Sequence, residues 1–263
     1  MRLNDSGTTA EPLWDRGLAH VVSGGATHYS CSQQTSEHAH YAWKIHVGLD
    51  APVWLRSSAR TVDTDAEARV VVAPPNVHHS TGAVGLSIAL FAAPGSRGTP
   101  WRATREPFAI GGAAGRRLVA MCQELVPADP QGHVALVDAV FASAIEDRPQ
   151  RLDARVGATL AAIARDPNEA LAEVARWRRL SLDQLSRLVS QQTGMRLRRH
   201  VLWARLLDVL STPAPSASLA EAAVAAGFSD HAHMTRTFRA FLGRAPSELM
   251  MPPAVVAPWL AAR

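Results

Sequence analysis

The sequence predicts an α+β protein of two domains: a small β-barrel with two following helices, then an all-helical half. Three observations support this prediction. The chain has 263 residues, which is enough for two domains. Residues from about Leu18 to Ile110 form short apolar runs separated by turn residues, a pattern typical of a β-sandwich or barrel. From Leu152 to about Met250, apolar residues recur at helical spacing.

The charge of the chain is unevenly distributed. Overall, 47% hydrophobic and 19% charged residues indicate a globular rather than a disordered protein. The net charge is +4, but residues 151–263 hold 15 Arg and 9 Asp or Glu, giving +6, whereas residues 1–150 carry −2. A basic excess in the helical half fits a partner rich in phosphate. The Ala-rich composition leaves a coding bias as another source of the arginines.

The termini and cysteines give expectations about location. No uncharged apolar run is long enough to span a bilayer. The start, MRLNDSGTTAEPLWD, lacks a secretory pattern, so we expect a cytoplasmic, non-membrane protein with a flexible segment over 1–17. Cys31 and Cys122 are far apart, which predicts free thiols in a reducing compartment, with a redox-sensing pair as the alternative.

Short strands are predicted for the first half. Residues His40 to Leu49 alternate, with Trp43 and Ile45 on one side and Lys44 on the other. Further strands are predicted at Val53–Arg56, Arg69–Ala73 and Gly85–Ala92, followed by a loop over Pro94–Pro107.

Two amphipathic helices are predicted after the strands, over Arg116–Val126 and Val134–Ile145. Their apolar stripes could cover the barrel or pair with a second copy of the chain. The expected divisions are a domain over 18–146, a polar, proline-bearing linker over 147–152 and a second domain over 153–263.

The second domain is predicted as helix pair, bridging helix, helix pair. A first helix over Arg155–Ala164 precedes a pair at Asn168–Trp177 and Leu182–Gln192. A long helix follows over Leu197–Leu210, and then a Pro/Ser connector over Thr212–Ala217.

The last helix pair lies within SLAEAAVAAGFSDHAHMTRTFRAFLGRAP, residues Ser218–Pro246. Gly227 is suited to end its first helix, and Ser229 or Asp230 to cap its second. An exposed polar and basic face on the second helix fits a helix-turn-helix reader of the DNA major groove. An ordinary helical hairpin with a solvated face fits these residues equally well.

A longer signature favours the first interpretation. AAVAAGFSDHAHMTRTFRAFLGRAPSEL resembles the second helix-turn-helix of the AraC family of bacterial transcription regulators. SLDQLSRLVSQQTGMRLRRHVLWARL is similar to that family's first reading helix and linker, so the resemblance covers about Leu152–Met250. It implies two reading helices set about 34 Å apart, one turn of DNA. Arg179 departs from the family, because a Gly usually stands at this turn position, and an Arg at positive φ costs about 1 kcal/mol.

The resemblance implies which side chains face DNA. Arg187 and Arg236 are the strongest candidates, because Arg bidentate to guanine is the commonest specific contact. Either Arg could instead bind phosphate, and Arg236 could pair with a neighbouring helix. The full expected set is Asp183, Ser186, Arg187, Gln191, His231, Ala232, His233, Thr235, Arg236 and Arg239.

The first domain carries a histidine pattern that resembles the two motifs of a cupin barrel, which the AraC family commonly places before its DNA-binding half. The positions matching cupin metal ligands are His38, His40 and His79, but Lys44 stands where metal cupins have Glu. A cation there disfavours a metal, so no metal and no cofactor are expected, with three-His zinc binding as the alternative. A small-molecule pocket is expected instead, although the aromatic members could simply be core packing. Its candidate residues are His38, His40, Tyr41, Trp43, His78 and His79.

These features predict a ligand-responsive transcription regulator or activator rather than an enzyme. Its expected partners are double-stranded DNA, RNA polymerase, a small-molecule effector and a second copy bound through residues 116–145. The alternatives are a metal-dependent cupin enzyme with an accessory helical domain, and a DNA-binding protein whose barrel only dimerises. No nucleophile motif, phosphate-binding Gly loop or paired carboxylates support an enzyme.

Overall fold

A computed structural model describes most of the chain. The described residues are 18–22, 25–31, 34–58, 60–64, 69–92, 94, 99–100, 106–124, 130–145, 151–169, 171–211 and 218–249. The expected flexible segment 1–17, most of the linker over 147–152 and the whole connector over 212–217 lie outside these residues.

Among the described residues, nine strands form the N-terminal domain. They are β1 (Leu18–Val22), β2 (Gly25–Cys31), β3 (Trp43–Gly48), β4 (Val53–Ser57), β5 (Thr61–Asp63), β6 (Val70–Ala73), β7 (His79–Ala83), β8 (Leu86–Ala92) and β9 (Phe108–Ala109). One sheet has the order β1-β2-β8-β3-β6-β9 and the other β5-β4-β7, with antiparallel pairing throughout. The predicted strand-rich domain is confirmed, but its described strands form two open sheets and not one closed barrel. Within the described residues, β6 pairs with β3 and β9, so no ladder joins it to β4.

The central strand β3 is buried on both faces. Ile45 lies opposite Val72 on β6 and Leu90 on β8. The alternation of apolar and polar residues predicts a strand from His40, but the regular strand begins only at Trp43. The reason is that His38 and His40 belong to an irregular segment, whose pairing with the strands is limited to isolated bridges at Gln34–Gly82 and His38–His79.

Two helices cover the larger sheet, α1 (Gly112–Glu124) and α2 (Pro130–Ala144). Their apolar residues join the core of β3, β6 and β8. Of the two predicted roles of these stripes, covering the sheet or pairing with a second copy, the structure shows the first. A dimer contact through 116–145 would therefore use other faces of the helices, and it stays a prediction. Buried core residues of the two helices are Leu118, Val119, Cys122, Leu136, Val137, Val140, Phe141 and Ala144. Cys122 is a free thiol, and burial raises its pKa to about 12.

The C-terminal half is helical, as predicted. Its helices are α3 (Ala154–Arg165), α4 (Leu171–Trp177), α5 (Leu182–Thr193), α6 (Leu197–Ser211), α7 (Leu219–Ala225), α8 (His231–Leu242) and α9 (Pro246–Leu249). Among the residues that the structure describes, no helix combines the length and apolar character needed to cross a membrane.

Candidate DNA interface and domain junction

The first helix-turn-helix unit consists of α4 and α5. Ser181 begins α5 with a capping box, in which its hydroxyl accepts from the N–H of Gln184 and the Gln184 side chain accepts from the N–H of Ser181. Leu185 and Val189 are fully buried beneath α5, which fixes the rotation of the helix about its axis. The opposite face is therefore held toward solvent.

The turn of the first unit has the same geometry as that of the second. In the second unit Gly227 has φ +80°, and the N–H of Phe228 donates to Ala223 O at 2.9 Å. In the first unit Arg179 has φ +55°, and the N–H of Leu180 donates to Ala175 O at 3.1 Å. Arg179 thus adopts the glycine conformation, and the turn tolerates the strain instead of being reshaped.

The second unit consists of α7 and α8. Ser218 forms a capping box with Glu221 at the start of α7. Asp230 begins α8, where its carboxylate accepts from the N–H of His233 at 2.6 Å. This hydrogen bond, with that from the Ser229 hydroxyl, holds the pKa of Asp230 below its usual value. Gly243 ends the helix in the left-handed conformation at φ +69°.

The predicted DNA-facing residues lie on the outer faces of α5 and α8, which we call the reading helices. Arg187 and Arg236 are both exposed, and no described ion pair occupies either side chain. His233 is only partly free, because its Nδ1 lies 3.1 Å from Ser229 Oγ and its ring packs edge-on against Phe228. The exposed members of the set are Asp183, Arg187, Gln191, His231, Ala232, Arg236 and Arg239, and the half-buried ones are Ser186, His233 and Thr235.

Helix α6 connects the two units through both of their cores. Leu197 and Val201, in its first turns, pack with Leu185 and Val189 of the first unit. Its later turns pack with the second unit through the buried side chains of Trp203, Leu206 and Val209. This arrangement confirms the predicted bridging helix.

The two domains meet where residues 34–42, which we call the histidine segment, run between β7 and the end of α8. On one side, His38 and His79 exchange backbone hydrogen bonds of 2.9 and 2.8 Å. On the other, the N–H of Ala39 donates to Ala240 O at 3.0 Å, and the Ser36 hydroxyl donates to Gly243 O at 2.9 Å. The segment therefore satisfies carbonyls at the C-terminal end of the second reading helix, which lack partners within the helix.

Aromatic side chains fill the rest of this junction. Tyr41 stacks on Trp203, with ring centroids 5.5 Å apart, and its hydroxyl lies 2.6 Å from His200 Nδ1. Arg199 lies over the Phe241 ring at 4.6 Å and donates to Ala39 O. The junction is one apolar core shared by both domains.

The structure divides the predicted ligand-binding residues among three places. His38, His40 and His79 come together, each buried. Tyr41 belongs to the junction, Trp43 to the core beneath α1 and α2, and His78 is exposed. The Trp43 indole N–H donates to Pro100 O at 3.0 Å, which is the core-packing role considered as the alternative.

The sequence did not single out Ser36, Arg199, His200 or Gly243 as functional. All four contact the other domain, and nothing local distinguishes them. Arg199 and His200 stand between apolar positions of α6 and look like the polar side of an ordinary helix. The structure leaves Arg199 half-buried and buries His200, and the sequence carries no signal of either.

Comparisons with known proteins agree with this geometry. A family model described as a helix-turn-helix domain matches residues 169–251, which span both units and the bridging helix. No curated protein matches the chain in sequence.

Solved structures share the arrangement of both domains. The crystal structure of ToxT from Vibrio cholerae O395 is 11% identical, with a TM-score of 0.57 over 86% of this chain and 97% of that one. Wild-type ToxT from V. cholerae strain SCE256 with a bound unsaturated fatty acid is 12% identical, with a TM-score of 0.55 over 85% and 93% of the two chains. At such identity the likeness concerns the fold. With the twin units and the sequence signature, the match to the helix-turn-helix model shows that the C-terminal half of this chain is a DNA-binding domain of the AraC type, the kind of domain that transcription regulators carry.

Proposed function

We propose that α5 and α8 enter successive major grooves of one operator, and that a small molecule bound by the N-terminal domain controls this binding. The observation that supports the proposal most strongly is the pairing of two exposed polar helix faces across one rigid α6. Arg187 and Arg236 occupy corresponding positions on these faces, and neither forms a described ion pair. Arg forks of this kind bind guanine edges bidentately.

The basic charge of the helical half supports the same function. Residues 151–263 carry a net charge of +6, which attracts the phosphate backbone and makes affinity depend on salt. Phosphate contacts position a protein, whereas base contacts specify the sequence. The experiment is therefore an equilibrium titration at fixed salt against selected and random duplexes. Sequence preference that Arg236→Ala reduces supports the proposal, and equal binding to all duplexes contradicts it.

Control by an effector is the finer part of the proposal. ToxT is solved with an unsaturated fatty acid, so a carboxylate lipid is the first effector class to test for this chain. The N-terminal domain caps the second reading helix, so a ligand that moves the histidine segment would change the position of α8. We also propose that the N-terminal domain is cupin-like and that the protein is cytoplasmic. It is further proposed to form a homodimer and to contact RNA polymerase.

A further inference from the structure

Three buried imidazoles face one another at the domain junction. The ring centroids of His38, His40 and His79 lie 5.5, 4.5 and 4.6 Å apart. One ring nitrogen from each lies within 4.8 Å of the others, and the residues are 2%, 0% and 0% exposed. Tetrahedral coordination by three imidazoles places the centroids about 5 Å apart, so small movements of the rings would form the site.

The hydrogen bonds of these rings determine which nitrogen is free to bind. Each Nδ1 approaches a backbone carbonyl, which can only accept, so each Nδ1 carries the proton. The carbonyls belong to Ser36, Ala42 and Val77 respectively. Each Nε2 therefore keeps its lone pair. A carbonyl partner on the second nitrogen is the usual orientation of a metal-binding His.

Two of these lone pairs have no partner in the protein. Nε2 of His40 and Nε2 of His79 are buried without a hydrogen bond. Buried polar atoms in folded proteins are nearly always satisfied, so both atoms call for a group that accepts a lone pair. Burial also lowers the pKa of all three rings, that of His79 to about 3, which keeps them in the neutral form that metals bind.

We propose that His38, His40 and His79 bind one divalent transition-metal ion of the zinc class through their Nε2 atoms, and that this ion fastens the histidine segment to β7. Three neutral imidazoles suit zinc and its neighbours rather than magnesium or calcium, which prefer oxygen. The fourth position is left for water or a small-molecule donor.

Lys44 acts against this ion and so offers a control. Its Nζ donates to Thr81 Oγ1 at 2.6 Å, close enough to the rings to lower their pKa values. A positive charge there weakens binding of a cation. Removing that charge by Lys44→Met should therefore tighten metal binding by about tenfold at pH 6, where the Lys44 amine, whose pKa burial lowers to about 7, is still charged.

The site is connected to the second reading helix. His38 lies next to Ala39 and two residues after Ser36, whose backbone N–H groups donate to Ala240 O in α8 and to Gly243 O at its C-cap. A Cβ at Gly243 would lie 2.7 Å from His38 Nδ1, so the helix end and the ring are in direct contact. An ion that fixes His38 relative to β7 therefore also fixes the cap of α8. The effect of this on DNA affinity rests on the proposed function, whereas metal binding does not.

The first test uses the full chain, stripped by a chelator and titrated with Zn²⁺ by calorimetry and with Co²⁺ by visible absorption. We expect one ion per chain with a Kd of about 1 μM or lower, and Co²⁺ bands typical of four-coordinate geometry. His40→Gln and His79→Gln should each weaken binding by about 100-fold or more, while the exposed neighbour variant His78→Ala should bind as wild type. Circular dichroism and thermal unfolding confirm that each variant is folded.

If a Gln variant does not fold, Lys44→Met still tests the site, because tighter binding requires the ion beside that side chain. Binding weaker than about 1 mM, or binding unchanged in Lys44→Met and in every folded His variant, overturns the site.

The second test measures the coupling by amide hydrogen exchange. Zn²⁺ should slow exchange at Ser36 and Ala39 by about tenfold in wild type and leave it unchanged in His79→Gln. Metal binding without this protection overturns the coupling. DNA affinity is then measured with and without Zn²⁺. Protection from amide exchange without any sequence-preferring DNA binding would support the metal site and contradict the proposed regulatory function.

Discussion

The N–H of Ala39 donates to the carbonyl oxygen of Ala240 at 3.0 Å, so the N-terminal domain caps the last turn of the second reading helix. This backbone bond joins a segment beside the histidine cluster to a helix that carries candidate base contacts. The hydrogen bond therefore connects the N-terminal domain directly to α8, without an intermediate linker.

Gly243 tests the importance of this contact. Its φ of +69° favours glycine, and a Cβ there would meet Ser36 O at 2.8 Å and Thr35 Cβ at 2.9 Å. We expect Gly243→Ala to lower the free energy of unfolding by about 1 kcal/mol from backbone strain and about 1–3 kcal/mol more from the clash. Denaturant unfolding measures the change.

The matched control is Gly194→Ala. Gly194 ends the first reading helix at φ +75° but is exposed, so its substitution should cost only the strain of about 1 kcal/mol. Equal losses of unfolding free energy in the two variants would show that packing at the junction adds no steric clash at Gly243.

The hydroxyl of Tyr41 tests the aromatic part of the junction. Tyr41→Phe removes the 2.6 Å hydrogen bond to His200 Nδ1, while Thr193 Oγ1 remains near His200 Nε2 at 3.1 Å. Because the imidazole stays buried with one nitrogen unsatisfied, we expect a loss of about 1–3 kcal/mol in unfolding free energy. A double-mutant cycle with His200→Phe should give a coupling of about 1 kcal/mol, and additive effects would refute the bond.

Lys44 gives the fold a pH dependence. Burial, with the nearby Arg244 charge, lowers the pKa of Lys44 from 10.5 to about 7. Above pH 7 the unfolded chain still holds this proton while the folded chain releases it, so the unfolded state binds more protons. The free energy of unfolding should therefore rise with pH by about 1 kcal/mol per unit between pH 7 and about 8.5.

The buried histidines add to this slope near pH 7, because an unfolded His with a pKa of about 6.5 is still about a quarter protonated there, whereas His38, His40, His79 and His200 are neutral in the folded chain; their contribution fades by about pH 8, and the comparison with a Lys44 variant separates it from that of Lys44. Above about pH 8.5 the Cys122 thiol opposes the trend, since its pKa is raised in the folded chain. Urea unfolding across the window, compared with Lys44→Met, measures the slope. The same slope in both proteins would exclude Lys44 as its source.

The left-handed backbone conformation of Arg179 carries strain that a glycine substitution should remove. Arg179→Gly relieves about 1–2 kcal/mol of left-handed backbone strain and adds freedom to the unfolded chain, which offsets part of the gain. We expect a net stabilisation of about 0.5–1 kcal/mol. Arg179→Ala removes the same charge without relieving φ and should not stabilise; a gain equal to that of the glycine variant would attribute the effect to charge.

The helix-turn-helix units are predictable from sequence because their determinants are local. Ser181, Ser218 and Asp230 cap helices within three residues of themselves, and Gly227 ends one at its own φ. The apolar spacing then fixes which face turns outward, so the set of exposed side chains on α5 and α8 follows.

The junction is not predictable in this way. Tyr41 and His200 are 159 residues apart, and the strand pattern gives Tyr41 no reason to face another domain. The histidine motif is recognisable, yet its irregular backbone depends on bonds to both His79 and Ala240. The prediction of a closed barrel is not confirmed for a similar reason. The alternation of apolar and polar residues predicts which face of a strand is buried, but not which strands pair at the edges of the sheets.

The most direct test of the regulator is selection of bound duplexes from a random library, followed by titration at fixed salt. We expect two preferred sub-sites about one helical turn apart. Arg187→Ala should relax preference at one and Arg236→Ala at the other, each costing about 1–3 kcal/mol, while the exposed Arg165→Ala on α3 leaves both preferences intact. If selection enriches no sequence, or if both reading-helix variants keep the wild-type preference, the groove-reading role of α5 and α8 is wrong.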